Sequence, residues 1–455
     1  MNGTRRNVRL STARRWALSL AVLIPCASPA AEYTLEPTVD LQETYNDNIY
    51  MTSAAHDSVT GTILSPRLDF AARMETWQLG VEARLRDSRY HGVEGLDTTG
   101  RTINLYSQYR AERNALQLGG GRAKESTLTS ALIDADTGLV KTQVIRTNDN
   151  ASASWTWSVT EKDQMKLDYQ YADVVYDNVS VANLYDYSQR GPSITLSHSL
   201  SQKTQFFLQA GNSKFSVPQL GTTHLGQSAL VLDGGLELSI VPDPRDVSME
   251  SSTNNVQAGI NYAISETVTG NLSAGARKTS SDTLNEACTG TRPPYVLEFD
   301  LGSVQLKRGT CDAVATSTTT ATTRGSVYNA SLTKKTETLQ LTAGAARSIN
   351  PSGAGTQVQN DTLNLSARWY KTERLAFTLS GVNSKVRALE STPAVVDRHL
   401  YNIAPGVEWR IGRASTVKLS YGYTQLSYVG VADSISSQQV SLAYSYAWDK
   451  ISISR

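Results

Sequence analysis

Between Ala151 and Tyr171 the chain alternates strictly. Ala151, Ala153, Trp155, Trp157 and Val159 take the odd positions and Ser152, Ser154, Thr156 and Ser158 the even ones. After Thr160-Glu161-Lys162-Asp163 the order resumes, with Met165, Leu167, Tyr169 and Tyr171 set against Lys166, Asp168 and Gln170. A period of two sends alternate side chains to opposite faces of a strand, and two such strands across a short polar break form a β-hairpin.

The unit recurs from end to end. Leu35, Val39 and Leu41 mark a first strand, Met51 to Gly61 a polar connection, and Leu64, Leu68 and Phe70 a second strand that turns at Glu75-Thr76 into Trp77, Leu79, Val81, Ala83 and Leu85. Long connections then alternate with short ones. Short turns are expected at Glu112-Arg113-Asn114, Ser201-Gln202-Lys203, Ser265-Glu266-Thr267, Lys334-Lys335-Thr336, Lys371-Thr372-Glu373 and Gly412-Arg413. The longest connections are expected at Lys214 to Thr253 and Thr279 to Arg324. The pattern predicts about 18 antiparallel strands in one domain over residues 31–455.

A sandwich would bury the apolar face against a second sheet, whereas a closed barrel in lipid turns it outward and keeps the polar face in a wet lumen. Tryptophan placement favours the barrel. Trp77, Trp155, Trp157, Trp369, Trp409 and Trp448 all keep the apolar parity, and most lie close to short turns, as an interfacial girdle requires. Trp77, Trp157, Trp369, Trp409 and Trp448 are its expected members. Composition agrees: 40% hydrophobic residues is thin for a large dry core, and no mature segment approaches the roughly 20 apolar residues of a membrane helix. The expected fold is thus an all-β, up-and-down transmembrane barrel with short periplasmic turns and long outer loops.

The N-terminus reads as an export signal over residues 1–30: Arg5, Arg6, Arg9, Arg14 and Arg15, an apolar run from Ala17 to Pro25, then Ser28-Pro29-Ala30. Its removal takes five arginines from a formal net charge of +1 and leaves about −4, which excludes a basic nucleic-acid binder. Cys288 and Cys311 form the one cysteine pair of the exported chain and are read as a disulfide, worth about 3 kcal/mol in the chain-entropy model. Two thiols without a neighbouring histidine make only half of a metal site.

The polar parity supplies the expected lumen. Its charged members are Arg67, Arg73, Glu82, Arg84, Arg86 and Arg110, joined later by Arg368 and Arg410; Glu36, Asp40 and Asp69 share the early wall. Later strands contribute hydroxyls and amides such as Gln257, Asn261, Asn271, Ser273, Asn329 and Asn364. One wall is expected to be charged and the other neutral. Nothing points to catalysis, to a cofactor or to a metal: His56, His91, His198, His224 and His399 are scattered, and neither a nucleophile elbow nor a phosphate loop occurs.

With Thr44-Tyr45-Asn46-Asp47-Asn48-Ile49-Tyr50 in the first strand, and turns such as Val159-Thr160-Glu161-Lys162 and Ile264-Ser265-Glu266-Thr267, the chain resembles the beta-barrel porin 2 family of outer-membrane proteins. That resemblance implies an outer-membrane porin conducting exopolysaccharide. Its implied partners are the membrane lipid, the polysaccharide chain, a periplasmic polysaccharide-export protein and the barrel-assembly machinery. The alternatives are a general diffusion porin for small hydrophilic solutes and a barrel that displays its loops as a surface adhesin. The barrel-assembly machinery usually sees a terminal aromatic residue, whereas here Ile451-Ser452-Ile453-Ser454-Arg455 follow Trp448.

Overall fold

A computed structural model of the chain describes residues 31–127, 143–177, 184–218, 228–232, 236–240, 246–288, 295–300, 303–308, 314–389, 397–430 and 433–454. The first nine strands are β1 (Glu32–Asn46), β2 (Val59–Arg73), β3 (Trp77–His91), β4 (Thr98–Arg110), β5 (Asn114–Ser126), β6 (Ile145–Ser158), β7 (Asp163–Tyr176), β8 (Tyr187–Ser199) and β9 (Thr204–Val217). A small hairpin, β10 (Ser228–Leu232) with β11 (Leu236–Ile240), precedes β12 (Asp246–Ser265) and β13 (Val268–Cys288). A second, β14 (Tyr295–Asp300) with β15 (Ser303–Arg308), precedes β16 (Val314–Lys335). The chain finishes with β17 (Leu339–Ser352), β18 (Thr356–Tyr370), β19 (Leu375–Ala388), β20 (Arg398–Arg410), β21 (Ser415–Tyr428), β22 (Ile435–Ala447) and β23 (Ile451–Ser454).

Leaving out the two small hairpins, each strand pairs antiparallel with the next, and β22 and β23 both return to β1, closing an 18-stranded barrel. Closure pairs Tyr45 with Val440 and Tyr33 with Ile453. β22 and β23 are one strand interrupted at Asp449. The amide of Trp448 donates to the carbonyl of Pro37, so Pro37 turns its backbone toward this seam, where it has no N–H to donate in return. The ladder therefore breaks there and resumes below. Ile451 to Ser454 accordingly extend the closing strand.

Register fixes the two faces. Phe70 opposes Val81, Leu68 opposes Ala83, and Trp155 opposes Leu167, so the apolar parity lines up across neighbouring strands. These side chains point away from the lumen and stay exposed, among them Leu167, Leu196, Leu208, Leu272 and Leu442. An apolar belt round the outside of a closed barrel requires a lipid bilayer as its solvent, and the chain is an outer-membrane barrel. At one end the strands are joined by short turns in which a hydroxyl caps the backbone. Thr160 accepts from the amides of Lys162 and Asp163, Thr336 from Leu339, and Thr372 from Arg374 and Leu375.

At the other end the strands run past the belt. β12, β13 and β16 are 20, 21 and 22 residues long against 13 to 15 in the other strands of the barrel, the short β23 apart. The connections expected at Lys214 to Thr253 and Thr279 to Arg324 are thus largely strand, including the threonine run from Thr316 to Thr323. β-Branched threonine suits a strand in water as well as in lipid. An alternation of apolar and polar residues cannot reveal such a strand, because outside the membrane neither face need be apolar.

Candidate functional site: the lumen and its outer mouth

Cross-strand pairing sorts the charged wall into rows. Glu36, Asp69 and Glu82 are successive register partners on β1, β2 and β3, and Asn104 on β4 continues the row. The next row toward the long loops is Thr38, Arg67, Arg84 and Thr102. Three carboxylates thus lie beneath two adjacent arginines, with Arg86 one step further out. Arg67 turns to Asp69, Nε to Oδ2 2.9 Å, along its own strand. Arg84 and Arg86 have no ion pair among the described residues. Arg73 and Arg110 sit at the short-turn ends of β2 and β4, as does Arg410 on β20. Arg368 reaches across β19 to bond Glu408, whose register partner is Lys418. Tyr106 lies over Gly80, where any Cβ would strike its ring.

The opposite wall is a ladder of amides and hydroxyls. Gln205 accepts from Asn261, which accepts in turn from Asn271; Gln257 bonds Gln209 and accepts from Ser273 at 3.4 Å. Above them Thr253 and Thr279 share a bond of 2.9 Å, and Ser281 donates to Ser251 at 3.1 Å.

The outer mouth is not an open ring, a feature the alternation did not anticipate. β16 pairs with β17 over eight residues only, from Tyr328–Arg347 down to Lys335–Gln340, while it pairs with β13 over 21. Beyond Arg347 the β17–β18 hairpin parts from β16, while β18 stays paired with β19 up to Val358–Ala388, and it leans inward as a strap. Its Gln357 carbonyl accepts from Ser251 at 3.0 Å and Thr253 at 3.2 Å, and Gln359 accepts from Arg277 at 3.3 Å. All three donors have lumen parity. At the tip, the Gly353 carbonyl accepts from the amide of Tyr185 at 2.7 Å. A Cβ at Gly353 would lie 2.6 Å from the Tyr176 hydroxyl, so the approach needs glycine. Both faces of the strap are covered: Pro351, Ser352, Thr356, Gln357 and Val358 are all buried.

Apolar side chains receive the strap and the loops. Val174, Tyr176, Tyr187, Phe215, Val217 and Met249 line the lumen near the strap tip and pack with Leu184 from the connection that follows β7. Met51, from the β1–β2 connection, inserts between Leu400, Leu426 and Ile435. It does so with a positive φ of 47°, which a side chain held by packing can sustain. Ile49 joins Val59 and Leu96 in a third cluster.

The segment Asn46-Asp47-Asn48 earns its place at the closing seam. The Asn48 side chain donates to the carbonyls of Thr52 at 2.9 Å and Ser436 at 3.0 Å and accepts from the Thr52 amide at 3.0 Å. Asp47 accepts from the Gln438 amide at 2.6 Å, and Asn46 from the Ser437 hydroxyl at 3.0 Å. Three consecutive side chains therefore clasp the first strand to β22. The spacing of the sequence had shown only that the segment is polar and ends a strand.

Trp77, Trp157, Trp369, Trp409 and Trp448 all lie at the short-turn rim, and all but Trp409 have an aromatic neighbour there: Tyr109, Trp155, Phe377 and Tyr446 respectively. Cys288 ends β13 and Cys311 lies outside the described residues, as do His224 and residues 1–30, where the export signal is expected. Among the described residues no group of three or more His, Cys, Asp or Glu side chains is arranged to hold a metal. His198 bonds Asp163 at 2.8 Å by a short turn, remote from the strap.

A polar lumen inside a closed 18-stranded antiparallel barrel with an apolar outer belt is the fold of an outer-membrane β-barrel. No family model matches the chain, and no curated protein matches it. Solved structures similar to it are outer-membrane barrels. The ferric-catecholate import receptor Fiu of E. coli K12 aligns over 90% of this chain and 81% of its own, at 10% identity and a TM-score of 0.45. OccAB3 of Acinetobacter baumannii aligns over 92% and 99%, at 8% identity and a TM-score of 0.42. The iron transporter FrpB of Neisseria meningitidis aligns over 91% and 82%, at 8% identity and 0.43.

Proposed function

We propose that the barrel is a gated conduit for a hydrophilic cargo, with an extended exopolysaccharide chain as the cargo. The observation that carries this reading is the continuous amide and hydroxyl ladder on β9, β12 and β13, together with the inward strap that closes the mouth above it. Hydroxyl-rich chains bind such a ladder through many weak, exchangeable bonds, which permits movement as well as binding. The resemblance to the beta-barrel porin 2 family points the same way, and a periplasmic polysaccharide-export protein would then deliver the chain at the short-turn end. Planar-bilayer conductance of the purified barrel, with and without neutral and acidic polysaccharides, tests the reading. Polymer is expected to bring openings that are rare in salt alone, interrupted by reversible blocks that lengthen with polymer length; a current that no polymer alters would defeat it.

A second reading, diffusion of small anions, is favoured by the row of Arg67 and Arg84 with Arg86 beside it. Replacing Arg67, Arg73, Arg84 and Arg86 with glutamine separates the two. A large shift of reversal potential toward cations with polymer block intact would assign the arginines to ion selection alone. Loss of acidic-polymer block in the same variant would assign them to the polymer.

A further inference from the structure

The outside of the barrel holds a site that its transport role does not use. Beneath the point where β16 and β17 part, the lipid-facing surface dips into a furrow of about 580 Å³. Its floor is made of small residues, Ala330, Ala343, Ala345 and Gly381, and Leu332 and Leu363 stand beside it. Register explains the dip. Ala330 opposes Ala345 across the β16–β17 pair, so no large side chain fills the surface where the neighbouring strands carry leucine. Leu272 on β13 and Leu363 on β18 continue the same row on either side of the two alanines. Here a depression lined mainly by apolar side chains is left open.

Above the furrow, on the same outward parity, Lys278 and Arg324 are direct register partners on β13 and β16, and both are exposed. Cross-strand partners lie about 5 Å apart at Cα, so both cations reach a single anion. Neither has a carboxylate within ion-pair distance among the described residues. The acids nearby are engaged elsewhere: Asp361 is held by Arg347, Nη2 to Oδ2 2.9 Å, and Asp282 accepts from Thr320 at 2.7 Å. Arg347 in turn bonds Ser326 and lies over Tyr328, so it is neutralised and forms the bridge between the cation pair and the furrow. Arg324 precedes Ala330 by six residues on one strand, about 20 Å at 3.3 Å per residue, a separation that a lipid spans from headgroup to chain.

We propose that this outer face of β13, β16, β17 and β18 binds one anionic, phosphate-bearing lipid of the surrounding bilayer, its phosphate on Lys278 and Arg324 and an acyl chain in the furrow. The side of the barrel agrees. The cation pair lies toward the long loops, where the belt meets the headgroups of the outer leaflet. The lipid would also cover β16 from Arg324 to Val327, the inner part of the stretch that lacks a partner on its β17 side.

Native mass spectrometry of the full barrel in detergent, titrated with phosphatidylglycerol and separately with phosphatidylcholine, tests this. One phosphatidylglycerol is expected to survive where phosphatidylcholine is lost. Lys278→Gln with Arg324→Gln should weaken phosphatidylglycerol binding about fivefold for each cation removed and leave phosphatidylcholine unchanged. Ala343→Leu with Ala345→Leu should weaken both lipids. Lys278→Arg with Arg324→Lys keeps the charge and should keep the binding, which shows that the glutamine variant did not merely misfold. Equal retention of the two lipids by the unaltered barrel would overturn the proposal. So would phosphatidylglycerol binding untouched by the glutamine pair, or full displacement by inorganic phosphate alone, which would leave the furrow without a role.

Discussion

Gln357 is the residue through which the strap can be released without touching the wall. It is 3% exposed, and its side-chain carbonyl is the common acceptor for Ser251 and Thr253, themselves 3% and 7% exposed. Gln357→Leu keeps the bulk and removes the acceptor. A buried polar group that loses its partner costs about 1–3 kcal/mol. Thr253 retains its bond to Thr279, and Ser251 still accepts from Ser281, so the lower part of that range applies to the pair, about 2 kcal/mol in all. At 1.4 kcal/mol per decade this shifts the balance of docked and released strap about thirtyfold. Single-channel recordings should show the closed dwell shortened or the open dwell lengthened by that factor. The reverse experiment is a Thr253→Cys, Gln357→Cys pair with Cys288 and Cys311 replaced by serine, which should hold the channel closed until a reductant is added. Both barrels must retain heat-modifiable migration for the comparison to count. If Gln357→Leu folds and its dwell times stay within twofold of the parent, the strap is not held by these bonds and the gating argument fails.

Asn48→Ala removes three hydrogen bonds from a residue that is 2% exposed and should lower the unfolding free energy by about 2–3 kcal/mol, read from urea titration of the folded band; a loss below about 0.5 kcal/mol would mean the clasp does not secure the seam. Leu167→Arg places a charge on the lipid face and should cost about 2–4 kcal/mol near the midplane. Asp168→Asn on the lumen face, which gives up only the surface pair with Lys166 at 2.8 Å, should cost under about 1 kcal/mol; equal effects would put the register one residue out. Burial raises the Asp186 carboxyl above its ordinary value, against the opposing bond from the Tyr176 amide. The folded state therefore holds this proton more tightly than the unfolded state, and stability is lost as pH rises through the raised value. Asp186→Asn should raise the melting temperature at neutral pH, with the gain vanishing on acidification into the carboxylate range; a gain that persists in acid would exclude charge as its source.

How much of this was legible in the sequence depended on where lipid imposes a pattern. Inside the belt, strands such as Ala151 to Val159 must alternate, because one face meets hydrocarbon and the other water, and the alternation locates them. Beyond the belt that constraint lapses. The outer arms of β13 and β16, rich in serine and threonine, therefore read as loops. The rows of the charged wall could be foreseen as to face but not as to order, since which arginine opposes which acid depends on register across separate hairpins. The strap was invisible for a different reason. Ser348 to Gly355 carries the proline and glycine of a hairpin tip, and nothing local distinguishes a tip that leans outward from one that folds back. The signal lay in a mismatch of lengths: β13 and β16 continue outward together, whereas β17 parts from β16 at Arg347. Only the three-dimensional pairing exposes that.

The strap does not settle on the wall at random. It docks on the neutral side, where Ser251, Thr253 and Arg277 give their protons to the amide oxygens of Gln357 and Gln359. These are oxygen acceptors of the kind a sugar chain also offers, so in the closed state the strap occupies donors that the proposed cargo would use. The charged wall on β1, β2 and β3 stays uncovered and keeps the rest of the lumen wet. Competition follows from that arrangement. A hydroxylated polymer arriving from the short-turn end would meet the Gln209–Gln257 and Asn261–Asn271 rungs first and reach the strap's donors last, exchanging their bonds to amide oxygens for bonds to its own oxygens. Such an exchange is close to isoenergetic, because each bond lost is replaced by one of the same kind. A small ion makes no such bonds and cannot drive it. Under the proposed function, cargo itself therefore opens the mouth, and a barrel recorded in salt alone should stay mostly closed.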